Sequence, residues 1–188
     1  MTDSRHASQV AETLRNDPVR WRLLGVVAEL GLPDCWIAAG FVRNAVWDAL
    51  HGWEPSPPAG DVDVIWYDPA RLDPELDRTF EERLRNAEPG IDWSVKNQAR
   101  MHARNGDAPY ASATDAMRFW PETATAVAAR RKPNGACEIA APYGLEDLMS
   151  LTLRPTARFV SDKRPVFDQR VARKEWLEIW PKLTLAEL

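Results

Sequence analysis

Cysteine and histidine are scarce in this chain of 188 residues: two Cys and three scattered His cannot assemble a convincing zinc site. Cys35 and Cys137 each flank an expected strand and read as buried thiols rather than as a disulfide or a metal pair. No apolar run reaches membrane length, and Thr2-Asp3-Ser4-Arg5-His6 leads into a polar helix instead of a basic-then-apolar leader. A cytoplasmic location is the expectation. Positive charge is not in excess either: 24 Lys and Arg stand against 28 Asp and Glu, a net charge of −4. That balance excludes an extensive non-specific nucleic-acid surface, which needs clustered cations, and leaves room only for a small local patch. Internal repeats and low-complexity segments are also missing.

What is present is ordinary globular composition, 45% hydrophobic and 28% charged. The length suits a single domain over 1–188, with N-terminal helices over 1–34, a core over 35–150 and a helical extension over 151–188. The chain opens with a helical run from Ala7 to Leu14. Asp17-Pro18 then caps a second helix carrying Val19, Leu23, Val26, Val27 and Leu30. Trp36 to Ala39 reads as a strand, Phe41 to His51 as a helix, and Val62 to Trp66 as a second strand. The stretch 53–60 cannot continue a helix and is either a connector or a flap. A charged helix follows Asp73-Pro74, a third strand runs from Ile91 to Asn97, and Ser112-Ala113-Thr114-Asp115 caps a helix through Met117 and Trp120. Ala124 to Arg131 and Cys137 to Ala140 flank Asn134-Gly135, a strong hairpin signal. Leu145, Leu148 and Leu151 mark a further helix, and one last helix is expected from Val166 to Ile179, ending before Pro181. The fold class is α+β: a mixed sheet flanked by helices, with the terminal helices packed on it.

The chemistry concentrates between Cys35 and Tyr67. Side chains two apart on a strand leave the same face, so Asp61 and Asp63 point together into one space while Val62, Val64 and Trp66 pack behind. Paired carboxylates suit divalent cations. Gly40 opens a helix whose first N–H groups have no partner within the helix and favour anions, and Arg43 lies in its first turn. Arg43 is either a phosphate contact or an ion-pair partner of Asp48 or another neighbour. Asp92 shares a face with Ser94 and Lys96, so it is either a third carboxylate of the site or a turn aspartate after Pro89-Gly90; Glu138 is the reserve. By residue type, the polar run Lys96 to His102 is either a solvated turn, the plainer reading, or committed to a ligand or to a hydrogen-bond network.

Ala38-Ala39-Gly40-Phe41-Val42-Arg43-Asn44 followed by Asp61-Val62-Asp63 resembles the nucleotidyltransferase superfamily that includes DNA polymerase beta and the CCA-adding tRNA nucleotidyltransferases. The chain looks more closely like a family of small bacterial nucleotidyltransferase-like proteins, through Ala39 to Asp48, Asp61 to Val64, Trp93 to His102, Trp120 to Thr125, Ala141 to Leu145 and the closing Trp180-Pro181. The resemblance implies a metal-dependent enzyme that moves a nucleoside monophosphate from an NTP to a small molecule, a protein or an RNA end. It implies Mg²⁺ or Mn²⁺ on Asp61 and Asp63, with Asp92 as a further catalytic carboxylate. Gly40, Phe41, Arg43, Lys96, Asn97 and Arg100 are the nucleotide contacts it implies. Two departures from the wider superfamily, Asn44 in place of Asp and Ala39 in place of the first glycine, sustain the alternative of a catalytically idle domain that binds a nucleotide or a protein partner.

Overall fold

Short-range signals set the order of elements in the computed structural model, which describes residues 2–187. Helix α1 (Thr2–Asn16) meets α2 (Pro18–Ala28) at Asp17, whose carboxylate accepts the Arg20 N–H as an N-cap, with Pro18 at the first helical position. Then come β1 (Trp36–Ala38), α3 (Gly40–His51), β2 (Val62–Trp66), α4 (Pro74–Ala87), β3 (Trp93–Asn97) and α5 (Gln98–Asn105). Helix α6 (Ala113–Ala116), capped by Ser112 as expected, runs into a 3₁₀ turn over Met117–Phe119. Strands β4 (Ala128–Arg131) and β5 (Cys137–Ala140) form the expected hairpin, and α7 (Glu146–Met149), β6 (Thr152–Leu153), α8 (Arg164–Arg173), α9 (Trp176–Ile179) and β7 (Thr184–Leu185) complete the chain.

The five-stranded sheet has the order β3-β2-β1-β4-β5. Strand β1 is antiparallel to both β2 and β4, whereas β2 and β3 are parallel and are joined by the crossover helix α4. The sheet is therefore mixed, in an α+β fold. Its first face packs Ile37, Val62, Val64, Trp66 and Val95 under the helices. The second face carries a smaller cluster of Trp36, Ala38, Ile65, Ala113, Met117 and Ala128. Because α6 and its 3₁₀ turn cover only part of this second face, the Asp61–Asp63 end stays open. Among the described residues, no helix is long and apolar enough to cross a membrane.

Some boundaries differ from the sequence expectations, each for a local reason. The first helix extends to Thr2–Asn16. The segment Thr123–Thr125 winds into a 3₁₀ turn, so the strand expected from Ala124 starts only at Ala128. The single helix expected from Val166 to Ile179 is two helices, broken where Glu175 takes a left-handed φ of 52°. The β6/β7 pair, two residues each and distant in sequence, had no sequence signal. Cys35 and Cys137 are free thiols whose ionisation burial pushes up to about 12 and about 11, in keeping with a packing role.

Candidate functional site

The turn between β1 and α3 is one of the strained points of the backbone. Ala39 adopts φ 54° and ψ −123°, a region that side-chain-bearing residues avoid. It is pinned on both sides: its N–H donates to the Val127 carbonyl at 2.9 Å, and its own carbonyl accepts from Arg43 N at 2.9 Å and Val42 N at 3.2 Å. Gly40 itself is less constrained. A Cβ there would meet Arg43 Nη2 at 3.5 Å, an ordinary contact. Within the protein, then, nothing crowds Gly40, and the conformation that favours glycine sits one residue earlier. Phe41 is turned inward: its ring is 2% exposed and its carbonyl accepts from Arg20 Nε at 2.9 Å. Only its backbone belongs to the turn.

Asp63 lies in β2 between Ala38 of β1 and Ser94 of β3. It is half-buried and Asp61 is exposed. Burial and the neighbouring Asp61 charge push the Asp63 carboxyl up to about 6, against the pull of Arg170, Arg43 and Lys96. Like charges are thus held together on the open face, as the strand period requires. Asp92 immediately precedes β3; its carbonyl accepts the Val62 N–H at 2.7 Å and closes the parallel pair, while the residue is exposed. Among the described residues no three His, Cys, Asp or Glu side chains lie close enough to hold one metal ion. Asp92 therefore does not complete a three-carboxylate cage. Glu138 is further removed: on β5, across β1 and β4 from β2, it pairs with Arg130 at 2.7 Å and Lys132 at 3.0 Å.

The run after β3 divides by the same alternation. Lys96 faces the Asp63 side, tethered to Glu81 Oε1 at 2.7 Å. Asn97 faces the opposite way and is fully committed: Oδ1 accepts from Ala99 N as the α5 cap and from Asp68 N, while Nδ2 donates to the carbonyls of Asp68 and Arg71. Arg100 pairs with Asp77, a buried carboxylate that also accepts from Trp66 Nε1 at 2.8 Å and from the Asn97 N–H. Asn97 and Arg100 are thus a clamp joining β3, α4 and the end of β2. The structure does not bring them to the carboxylates, because buried donors of this kind must be paired and these already are.

Beside Asp63 opens a cavity of about 270 Å³, lined among others by Ala39, Ser94, Lys96, Thr125 and Arg170. Its size is near the lower end of the roughly 300–1,000 Å³ range of small-molecule sites. A second cavity of about 180 Å³, between α2, β1 and the hairpin, is lined largely by apolar groups such as Leu24, Val27 and Ile37 and holds no carboxylate. The chemistry lies with the first.

Arg43 sits behind this cavity rather than in it. It is 5% exposed, with the Trp47 ring at 4.8 Å and the Trp176 ring at 4.4 Å, and it donates to Thr125 Oγ1 at 2.8 Å and Asn44 Oδ1 at 2.9 Å. Burial lowers its pKa to about 10. The alternative ion pair with Asp48 is not formed. Asp48 instead accepts from Trp180 Nε1 at 2.8 Å and from Ser56 Oγ at 2.7 Å, while the Ser56 carbonyl accepts from Arg20 Nη1 at 2.6 Å. The proline-rich segment is tied down at its middle and behaves as a connector. Sequence reasoning assigned no role to Arg170 of α8 or to Glu122, which is fully buried with its Oε1 2.8 Å from Arg170 Nε. The only available signal was that Glu122 falls in the Trp120 to Thr125 phrase.

A family model described as nucleotidyltransferase matches residues 25–185. Among solved structures, one described as revealing a CCA-adding enzyme head domain by NMR is 35% identical, with a TM-score of 0.84 and 96% of each chain covered. A CCA-adding enzyme in complex with CTP is 18% identical at TM-score 0.57, over 96% of this chain and 43% of that one. The Thermotoga maritima CCA-adding enzyme complexed with tRNA is 18% identical at TM-score 0.56, over 96% and 42%. The chain thus spans about two fifths of those two enzymes, and with them it shares the fold. None of the curated proteins compared matches it.

Proposed function

Because the chain belongs to the nucleotidyltransferase family, we propose that it transfers a nucleoside monophosphate from an NTP to an acceptor hydroxyl, with a divalent cation held by Asp61 and Asp63. The observation that carries the proposal is the placement of Asp63 opposite Ala38, one residue before the strained turn that opens α3. Carboxylates and helix N-terminus are thereby held together on one face of the sheet, by the adjoining ends of β1 and β2 and next to the cavity.

The donor set fits Mg²⁺ or Mn²⁺, hard cations that take oxygen ligands from one or two carboxylates plus substrate phosphates. The raised pKa of Asp63 is the expected cost of burying a carboxylate and of holding a second one, Asp61, near it without a cation. When bound, such a cation neutralises charge on the triphosphate and on the attacking oxygen. The chain's own groups do the positioning. The first N–H groups of α3, at Gly40 and Phe41, face the phosphates, and Lys96, oriented by Glu81, supplies a cation at the cavity wall. Arg43 contributes fixed positive charge from behind. Trp120 and Met101 offer an apolar surface for a base, with the Gln98 amide beside them. The new acceptor–phosphorus bond forms as the bond to the leaving pyrophosphate breaks.

Binding of CTP, ATP and tRNA by related CCA-adding enzymes supports an NTP as donor. The acceptor is a small molecule, a protein or an RNA end. A second reading, an idle member that binds nucleotide or a protein without turnover, draws on the missing third carboxylate among the described residues and on Ala39 at the glycine-like position. Mg²⁺-dependent NTP binding, compared between wild type and Asp61→Asn/Asp63→Asn, tests the site. Equal binding by both proteins would remove Asp61 and Asp63 from it.

A further inference from the structure

We infer that Arg170, carried by α8 and remote in sequence from the Gly40 turn, is the arginine that binds the donor's polyphosphate in this site, and that Glu122 is the buried positioning residue that sets it there. The inference rests on the nucleotidyl-transfer reading above. Two arginines act on Asp63, and they differ in what they are free to do. Every nitrogen on the Arg43 guanidinium is already engaged, Nε and Nη2 with Asn44 and Nη1 with Thr125, and the group also packs on the edge-to-face pair of Trp47 and Trp176. It cannot turn to a ligand without leaving those partners.

Arg170 is arranged the other way. Its side chain is 29% exposed and lines the cavity with Asp63 and Thr125, its guanidinium 5.5 Å from the ring of the same Trp176. Its Nε lies 2.8 Å from Glu122 Oε1, yet neither group is aligned as a hydrogen bond, and its Nη atoms donate to nothing among the described residues. A guanidinium held by charge at one nitrogen and open at the others is presented for a bidentate anion.

Glu122 explains why the arginine stays. It is fully buried, and its backbone is fixed: its carbonyl accepts from Thr125 N and Ala126 N at 3.2 Å, and it bridges to Pro155. A buried carboxylate is costly unless cations stand beside it, and here they are Arg170 and Arg43. One negative charge thus gathers two arginines on the side of the cavity where Asp63 lies. Around the site Arg43, Arg170 and Lys96 face Asp61, Asp63 and Glu122, so a cation that neutralises the aspartates leaves Arg170 available to the anion that arrives with it.

Calorimetric titration of the full chain with ATP and with inorganic tripolyphosphate, each with Mg²⁺, tests this. Arg170→Ala is expected to weaken both by about 10- to 100-fold, the range of a charge-assisted hydrogen bond, and Arg170→Lys to restore part of the loss. Arg170→Ala strands Glu122 without its nearest cation and can lose its fold, so Arg170→Ala/Glu122→Gln, which removes both charges, must show the same loss. Glu122→Gln alone should lower affinity several-fold, and should add no further loss when Arg170 is already absent, as befits a residue acting through it. A purely structural Glu122 would lower the melting temperature and leave the affinity of the folded protein unchanged. If the Arg170 variants bind as wild type does while Asp63→Asn loses Mg²⁺-dependent ATP binding, the nucleotidyl-transfer site stands and Arg170 is not part of it. If wild type binds neither probe, both readings fall.

Discussion

Replacing Gly40 by Ala separates what the turn does for the fold from what it does for a ligand. The added Cβ would lie 3.5 Å from Arg43 Nη2 and 3.8 Å from the Asn44 amide nitrogen, ordinary contacts with side-chain ends. Gly40 does not hold a positive φ; Ala39 does. The substitution therefore adds no strain and restricts the unfolded chain, a gain of about 0.4–1 kcal/mol. For a chain of this length that is a rise in melting temperature of roughly 1–4 °C. The same methyl adds bulk to the first residue of α3, beside which the triphosphate is proposed to sit, so Mg·ATP affinity should fall by about tenfold or more, roughly 1.4 kcal/mol. Thermal melts give the first quantity and calorimetry the second. A lowered melting temperature would refute the packing argument, and unchanged affinity would refute phosphate binding at the α3 amides.

Arg43→Ala should behave as a core lesion: it removes cation–π contacts to Trp47 and Trp176 and leaves Thr125, Asn44 and Glu122 short of partners, for about 2–4 kcal/mol by urea denaturation. A cost below about 0.5 kcal/mol would contradict its burial. Asp63 sets a pH dependence. Its native pKa of about 6 exceeds the ordinary 3.8, so the native state binds the extra proton between these values, and the stability this gives, complete below about pH 4, is lost as pH rises through 6. In EDTA, Asp63→Asn should accordingly stabilise the protein at pH 7.5 by about 2 kcal/mol, allowing for solvent screening of a half-exposed group, and by much less at pH 4. An equal effect at both pH values would show that the ionisation of Asp63, disfavoured by burial and by Asp61, is not the cause. Mg²⁺ should raise the melting temperature of wild type and not that of Asp61→Asn/Asp63→Asn, by simple mass action; a matching rise in both would put the cation elsewhere.

The sheet was legible wherever one face is buried, because the strand period then fixes which residues turn inward. Val62, Val64 and Trp66 are buried and Asp61 and Asp63 are left on the other side, as the alternation requires. Asn134-Gly135 likewise announced the hairpin. The same period carries information about Lys96 and Asn97 that residue type obscures: neighbours on a strand cannot share a face, so only Lys96 could join Asp63. Arg100 was less accessible to sequence, since its partner Asp77 sits buried on a helix that reads as solvated. The break at Glu175 carries neither Gly nor Pro, and a left-handed Glu leaves no mark in the sequence. Arg170 and Glu122 stand 48 positions apart and meet only through tertiary packing, so periodicity cannot join them.

The central claim is that Asp63 belongs to a centre that turns over an NTP. Incubating the protein with alpha-phosphate-labelled NTPs, Mg²⁺ or Mn²⁺ and a cell extract as the acceptor pool measures it directly. Label transferred to an acceptor, with release of pyrophosphate, is expected in wild type and neither in Asp63→Asn. Wild type that binds NTP but yields no transfer and no pyrophosphate above the Asp63→Asn level would contradict it.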